Sequence, residues 1–164
     1  MPKNLFKPTI YLTKNGFNTD VLVWAVLDIA AICGISKWRT SMHVYLEKLG
    51  EAPEEAKSEA AEWGTRLEPI IAEKFAQEHP EWTILEKKVI YSHPDHPWAL
   101  ANLDRLIICP KRGRGILEIK TASEYLKQEW DEGNIPDYYY VQVTVVFICH
   151  ESGFRILRHA HRWQ

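Results

Sequence analysis

The sequence has little of what membrane, disulfide-linked or DNA-coating proteins usually have. No apolar run is long enough to span a bilayer and no secretory signal is seen, so we expect no membrane association. The three cysteines, Cys33, Cys109 and Cys149, are far apart and lack metal-binding spacing. This favours a reducing cytoplasm and argues against an iron–sulfur cluster. A formal net charge of −2 does not suggest a protein that coats DNA indiscriminately.

What the chain does contain is typical of one globular domain. Its 164 residues are 46% hydrophobic and 26% charged, with no internal repeat or low-complexity segment. A chain of this length can bury a sizeable core. We therefore expect a single domain that covers residues 1–164.

The most informative segment is Gly115–Lys120, which reads G-I-L-E-I-K. Side chains alternate along a strand, so Glu118 and Lys120 point to one face and Leu117 and Ile119 to the other. A carboxylate and an ammonium group on an otherwise apolar strand are costly to bury without a partner. A magnesium ion with a phosphate group would account for both, whereas an ordinary surface Glu–Lys pair is the alternative.

Asp104 strengthens the first interpretation. Residues 100–109 read as a strand and residues 110–115 as a turn, so a hairpin centred near Lys111 places Asp104 opposite Glu118. Two carboxylates would then lie at cross-strand distance with Lys120 beside them. Oxygen ligands of this kind suit Mg²⁺, which keeps several waters and takes further ligands from a substrate phosphate.

The remaining pattern predicts strands and helices around this hairpin. A glycine is expected to end each of the first two helices, Ser41 to cap the second, and Ser123 and Pro136 to begin the last two. The predicted helices are 28–33, 41–49, 53–79, 123–130 and one from 136, and the predicted strands are 82–91, 100–109 and 115–121. The expected fold class is α/β (α+β), with a central mixed sheet flanked by helices.

Four short blocks occur in a fixed order along the chain: G-x-x-x-E at Gly64–Glu68, D at Asp104, E-x-K at Glu118–Lys120 and Y-x-x-Q at Tyr139–Gln142. In this order they resemble the YqaJ-type viral recombinase family, the lambda-exonuclease-like branch of the PD-(D/E)XK nucleases. Residues 28–40 also look like the N-terminal block of that family. The resemblance covers residues 28–143. Each motif alone is weak, but four in order at plausible spacing are specific.

The resemblance implies a restriction-endonuclease-like core and a role for each matching residue. Asp104 and Glu118 would hold the metal, with help from the backbone carbonyl of Ile119. Lys120 would orient the attacking water or steady the phosphate. The other implied roles are completion of the metal site by Glu68, positioning of the site by Gln142, and contacts to DNA phosphates by Lys37 and Arg39.

The resemblance also implies an activity and partners. The implied enzyme needs Mg²⁺, with Mn²⁺ as a substitute, and digests linear duplex DNA from free ends in the 5′ to 3′ direction. Its implied partner is a RecT-like single-strand annealing protein, and its implied assembly is a homo-oligomeric ring, plausibly a trimer, in the cytoplasm of a bacterial or phage-infected cell. Two alternatives stay open, a catalytically impaired prophage remnant and a site-specific endonuclease. The G-x-x-x-E and Y-x-x-Q blocks argue against the endonuclease.

The segment before Asp28 departs from the family pattern, which runs roughly E-W-L-x-x-R-x-x-G-I-G-G-S-D. Residues 14–27 read K-N-G-F-N-T-D-V-L-V-W-A-V-L instead. Reading the codons one base out of frame from Thr13, with permitted wobble bases, gives K-E-W-L-Q-Y-R-R-I-G-V-G-G-S. The lost arginine, glycines and serine would have bound phosphate at a helix entry, where free N–H groups favour anions.

The C-terminal segment 144–164 gives a weaker result of the same kind. Removing one base in the codon of Thr144 allows a tail Q-W-Y-L-Y-V-T-K-A-G-F-E-Y-F-A-T-L-I-G-G, and the chain as it stands would then lack the last strand of the family. Residues 1–27 and 144–164 are thus either out-of-frame translations or divergent ends. The nucleotide sequence decides, because codons incompatible with the restored frames would refute a frameshift.

Overall fold

The computed structural model describes residues 24–53, 58–93, 95–150 and 153–162. Within these ranges each element is given by its bounds. The helices are α1 Ile29–Ile32, α2 Ser41–Leu49, α3 Glu59–Glu78 and α4 Asp137–His150, with 3-10 turns at Val26–Asp28 and Glu124–Gly133. The strands are β1 Trp24–Ala25, β2 Thr83–Leu85, β3 Ile90–Ser92, β4 Ala99–Asn102, β5 Arg105–Cys109, β6 Gly113–Ser123 and β7 Phe154–Arg162.

The described strands form two adjoining sheets. One has the order β1-β4-β3, with β1 parallel and β3 antiparallel to β4. The other has the order β2-β5-β6-β7, in which β6 pairs antiparallel with β5 and parallel with β7. Helices pack on these sheets, so the predicted α/β (α+β) class with a mixed sheet is confirmed. Among the described helices none has the length and apolarity that a bilayer crossing requires.

The β5–β6 hairpin has the register that the sequence predicted. Cys109 pairs with Gly113 and Arg105 with Leu117, so the hairpin is centred on Lys111. Continuing this register by one residue places Asp104 opposite Glu118. The cross-strand relation between the two carboxylates is therefore present in the fold.

Two of the predicted strands were wrong in their extent. The predicted strand 100–109 is broken at Leu103–Asp104 into β4 and β5, and the predicted strand 82–91 is broken into β2 and β3. In each case the two halves belong to different sheets. The reason is that the apolar side chains of β4 and β5 fill two separate cores, and the chain has to bend between them. Asp104 lies at that bend.

The two cores lie on opposite faces of β6. Leu117 and Ile119 pack with Phe75 of α3 in one core, whereas Ile116 packs with Val146 of α4 in the other. This alternation confirms that the odd-numbered and even-numbered residues of β6 point to opposite sides. The even-numbered side, which includes Glu118 and Lys120, is the side of α4.

The helix ends also differ from expectation. The third helix begins at Glu59, because the Ser58 side chain accepts a hydrogen bond from Ala61 N and caps it. Pro53, predicted as its start, lies outside the helix, and residues 54–57 are outside the described part. The cap of α2 is Thr40 rather than Ser41. The other predicted bounds differ from the observed ones by a residue or two. Two predicted helices differ in type: residues 28–33 form the end of a 3-10 turn followed by α1, and the predicted helix 123–130 is a 3-10 segment.

The expectation of a missing last strand was wrong. Residues 154–162 form β7, which pairs along β6 from Gly115 to Ser123. The edge of β6 has free backbone groups that need a partner, and the Phe154 side chain is buried in the core shared with α3. The tail therefore covers the core in its present sequence. The altered segment 14–23 lies outside the described residues.

Gly115 provides a test of how β7 is seated. A Cβ atom at this position would lie 2.5 Å from Cε2 of the Phe154 ring, with two further ring atoms within 2.7 Å. We expect Gly115→Ala to lower the free energy of unfolding by about 1–3 kcal/mol, because the buried ring or the strand has to move.

Thermal unfolding followed by circular dichroism measures this effect. The control is the same change in a Phe154→Leu background, where the smaller side chain leaves room and the additional loss should shrink. An equal loss in both backgrounds would show that Phe154 does not pack over Gly115.

Candidate active site

Glu118 and Lys120 form a buried ion pair on the α4 side of β6. The distance from Lys120 Nζ to Glu118 Oε1 is 2.9 Å, and their side chains are only 15% and 5% exposed, in that order. The second carboxylate oxygen, Glu118 Oε2, is buried and has no hydrogen-bond partner among the described residues. A buried polar atom without a partner is costly unless something else binds it. The pair is therefore incomplete as a structural salt bridge.

Asp104 adds a second carboxylate at the bend between β4 and β5. Its Oδ2 accepts a hydrogen bond of 2.7 Å from Ile119 N, so a side chain takes the place of a backbone acceptor at this end of the hairpin. Burial and the neighbouring Glu118 carboxylate raise the pKa of Asp104 to about 7, against the opposing effects of the Ile119 N–H and Lys120. The surroundings of Asp104 therefore disfavour its charged form as long as no cation is bound beside it.

These two observations fit a divalent cation. An ion between Asp104 and Glu118 would satisfy Glu118 Oε2 and neutralise the repulsion that raises the pKa of Asp104. Two carboxylates and a backbone carbonyl are hard oxygen ligands of the type that Mg²⁺ prefers. The carbonyl of Ile119 stays a predicted ligand, and the Ile119 amide places that residue directly beside Asp104.

Glu68 is near enough to Asp104 for its negative charge to add to the raised pKa of that carboxyl. In the part of the chain that the structure describes, no three His, Cys, Asp or Glu side chains are grouped closely enough to ligate an ion together. The Glu68 carboxylate instead accepts a 2.7 Å hydrogen bond from Arg105 Nη1. Arg105 pairs with Leu117 across the hairpin, which puts it on the α3 side of the sheet. Glu68 and Asp104 nevertheless line the same open groove.

The glycine of the G-x-x-x-E block explains how Glu68 comes close to the sheet. A Cβ atom on Gly64 would lie 3.3 Å from Oγ1 of Thr121, next to Lys120 on β6. Residues four apart lie on the same face of a helix, so Glu68 is on the face that approaches β6. The close approach of α3 at Gly64 therefore sets the position of Glu68.

Helix α4 supplies the residues of the Y-x-x-Q block. Gln142 is buried, and its role in positioning the site stays a prediction. The Tyr139 ring centre lies 5.7 Å from Lys120 Nζ, within the range of a cation–π contact. Tyr139 of the Y-x-x-Q block thus lies beside the lysine of the E-x-K block.

Lys37 and Arg39, predicted to contact DNA, are engaged within the protein. Lys37 Nζ lies 2.6 Å from a carboxylate oxygen of Glu129. Arg39 pairs with the buried Asp28 at 3.2 Å and also with Glu47. Contacts of these cations to a phosphate would have to compete with, or extend, these ion pairs.

Arg105 is the residue that sequence reasoning missed. It is buried, and besides Glu68 it donates a hydrogen bond to the backbone carbonyl of Asp104. The signal was present, because an arginine directly after Asp104 at the start of an apolar strand is as costly to bury alone as Glu118 is.

The bent hairpin with D and E-x-K on one side, flanked by helices on both faces, is the core of a restriction-endonuclease-like nuclease fold. Within that class the chain belongs to the YqaJ-like viral recombinase domain family, whose model matches residues 27–152. The match extends nine residues past Val143, the end of the resemblance recognised in the sequence.

Similar proteins agree with this assignment. The chain is 41% identical over 117 residues to the uncharacterized protein YqaJ of Bacillus subtilis (strain 168). The aligned region is 71% of this chain and 35% of that protein. This chain thus spans about a third of the length of that relative.

Solved structures with this fold include an alkaline exonuclease, LHK-Exo, from Laribacter hongkongensis. The TM-score is 0.61 at 18% identity, over 84% of this chain and 69% of that one. For the complex of LHK-Exo with dAMP the TM-score is 0.61 at 19% identity, over 78% of this chain and 64% of that one. At these identities the likeness establishes the fold.

The pKa of Asp104 leads to a pH prediction for metal binding. Below about pH 7 the Asp104 carboxyl holds a proton that a cation must displace, and above it the carboxylate is free. We therefore expect the apparent affinity for Mn²⁺ to rise by about tenfold per pH unit between pH 5.5 and 7 and to level off above.

Calorimetric titration with MnCl₂ in buffers of different ionisation enthalpy measures both the affinity and the proton release. Asp104→Asn is the control, in which the binding heat should disappear because one ligand is lost. A pH-independent affinity in the unchanged protein would mean that Asp104 is not a ligand.

Proposed function

We propose that this protein is a magnesium-dependent exonuclease that digests linear duplex DNA in the 5′ to 3′ direction. The observation that carries the proposal is the buried Glu118 oxygen beside Asp104 and Lys120, which has no partner within the described part of the chain. An ion pair that served stability alone would have no reason to leave this oxygen unsatisfied next to a second buried carboxylate.

Each residue of the site has a definite task in this proposal. Asp104, Glu118 and the Ile119 carbonyl hold the cation, which when bound lowers the pKa of a water and neutralises charge on the leaving oxygen. Lys120 steadies the scissile phosphate or the attacking water. Gln142 supports the site from α4, and Glu68 completes it from α3.

The charges of the site support phosphate binding only after a cation is present. Three carboxylates, Asp104, Glu118 and Glu68, face two cations, Lys120 and Arg105, so the ionised site is negative by one unit. An anionic phosphodiester would be repelled from such a site. A divalent cation reverses the sign, and a phosphodiester then restores neutrality. This balance of charges supports the proposed metal dependence.

The family and the fold support the choice of substrate. Membership in a viral recombinase domain family and the fold shared with an alkaline exonuclease support DNA with free ends as the proposed substrate. We also propose a RecT-like annealing protein as partner for the remaining single strand, a homo-oligomeric ring, plausibly a trimer, and a cytoplasmic location. Mn²⁺ is proposed as a substitute for Mg²⁺.

End-labelled DNA tests direction and end dependence together. We expect a linear duplex with a 5′ label to lose the label at once in Mg²⁺, a 3′ label to persist until late, and a closed circular duplex to stay intact. Early loss of the 3′ label would contradict the direction. Discrete fragments from the circle would indicate a site-specific endonuclease instead.

A second candidate is a protein that keeps the fold and binds metal or DNA without turnover. Two observations favour it: residues 14–27 lack the arginine, glycines and serine of the family pattern, and Lys37 and Arg39 are already paired with carboxylates. A version with the restored frame separates the two candidates. Cutting by the restored version alone would show that the present chain is such a remnant.

A further inference from the structure

Arg105 connects two parts of the site that lie on different elements. Its Nη1 donates to the Glu68 carboxylate of α3 at 2.7 Å and also to the backbone carbonyl of Asp104. The arginine side chain is 10% exposed, whereas that of Glu68 is 33% exposed. One guanidinium group therefore joins the helix that carries Glu68 to the bend that carries Asp104.

We propose that Arg105 is a positioning residue that fixes Glu68 and the Asp104 bend relative to each other, so that Glu68 acts on the bound cation from its outer coordination sphere. This inference rests on the proposed function. Glu68 and Asp104 line a common groove of about 410 Å³, yet Glu68 does not group with Asp104 and Glu118 as a direct ligand among the described residues. Mg²⁺ commonly keeps several waters and takes few direct carboxylates, so an outer-sphere acceptor fits.

Without Arg105, the Glu68 carboxylate would lose the hydrogen bond that orients it in the groove, although α3 would stay in place. Glu68 would face Asp104 and Glu118 as a third negative charge, and its partly exposed side chain would turn to solvent. Residues that orient metal ligands typically contribute 10- to 100-fold to metal affinity. We therefore expect the loss of Arg105 to weaken metal binding.

The sign of this effect distinguishes positioning from simple charge. Removing a positive group beside an acidic site should strengthen cation binding if charge alone mattered. If Arg105 positions Glu68 and the Asp104 bend, its removal should weaken cation binding instead. Arg105→Lys keeps the charge but has one compact ammonium in place of the planar fork, so it should recover only part of the affinity.

The test is direct Mn²⁺ binding by the full chain, measured by calorimetry or by electron paramagnetic resonance. We expect Arg105→Gln to raise the dissociation constant by about 10-fold or more, and Arg105→Lys to give an intermediate value. In a Glu68→Gln background the Arg105→Gln change should have little further effect, since Arg105 acts through Glu68.

Arg158→Gln is a matched control. Arg158 on β7 also pairs with a glutamate of α3, because its Nη2 lies 3.1 Å from Glu78 Oε2. Its replacement removes a strand-to-α3 ion pair of similar kind that involves neither Glu68 nor Asp104, so Mn²⁺ binding should not change.

Three results would overturn the inference. These are tighter Mn²⁺ binding by Arg105→Gln, an unchanged dissociation constant with only a lower melting temperature, and an equal loss in the Glu68→Gln background. If the unchanged protein bound no Mn²⁺ at all, the proposed function itself would fail, which is a separate and recognisable outcome.

Discussion

Lys120→Ala is expected to reduce magnesium-dependent DNA cleavage by about 10²–10⁴-fold while metal binding is retained. Lys120 is paired with one of the two carboxylates, because its Nζ lies 2.9 Å from Glu118 Oε1, and it also lies 5.7 Å from the Tyr139 ring centre. Its loss removes the group that steadies the phosphate or the water but leaves both carboxylates for the cation. The measurement is single-turnover cleavage of a linear duplex, beside Mn²⁺ binding by the same sample.

The buried position of Glu118 requires a control. Lys120→Ala leaves the Glu118 carboxylate without its partner, which destabilises a buried site. Lys120→Gln keeps an N–H donor toward Glu118 without the charge and should lose cleavage to a similar degree with a smaller change in melting temperature. Circular dichroism verifies the fold of both. Unchanged cleavage rates in Lys120→Ala and in Glu118→Ala would refute the site assignment.

Asp104→Asn is expected to abolish metal binding and cleavage and at the same time to stabilise the metal-free protein at pH 8. The pKa of Asp104 rises from 3.8 to about 7 on folding, so the folded state holds a proton between these values that the unfolded state has released. Stability therefore falls as pH rises from about 4 to 7, and the ionised carboxylate is unfavourable above. Asparagine removes that charge and can still accept the hydrogen bond from Ile119 N.

Melting curves at two pH values test this trade-off. One pKa unit corresponds to about 1.4 kcal/mol, and 1 kcal/mol shifts the melting temperature by about 2–4 °C for a chain of this size. If Asp104→Asn removes even part of the free-energy cost that the raised pKa of Asp104 represents, the melting temperature should rise by several degrees at pH 8. The rise should be much smaller at pH 5, where Asp104 is already protonated. A lower melting temperature at pH 8 would show that Asp104 is not strained by its surroundings.

The sequence predicted the register of the β5–β6 hairpin correctly because local rules determine it. The alternation of β6 and the turn at residues 110–112 fix the hairpin register, and the register brings Asp104 opposite Glu118. The helical spacing from Gly64 to Glu68 likewise places both on the face of α3 toward β6.

What the sequence did not predict depends on contacts between distant elements. The break at Leu103–Asp104 arises because β4 and β5 serve two cores, which no local pattern of apolar residues reveals. The Arg105–Glu68 pair joins residues 37 positions apart, and it explains why Glu68 is not grouped with the other two acids. Strand β7 was missed because its place is set by the open edge of β6.

The most direct test of the central claim is the rate of linear-duplex degradation by the purified chain as a function of Mg²⁺ concentration, beside Asp104→Asn. If Asp104, Glu118 and Lys120 form a metal-dependent nuclease site, degradation is absent with chelator, rises to saturation with Mg²⁺, and disappears in the variant. Degradation that persists in chelator or in Asp104→Asn would contradict the account.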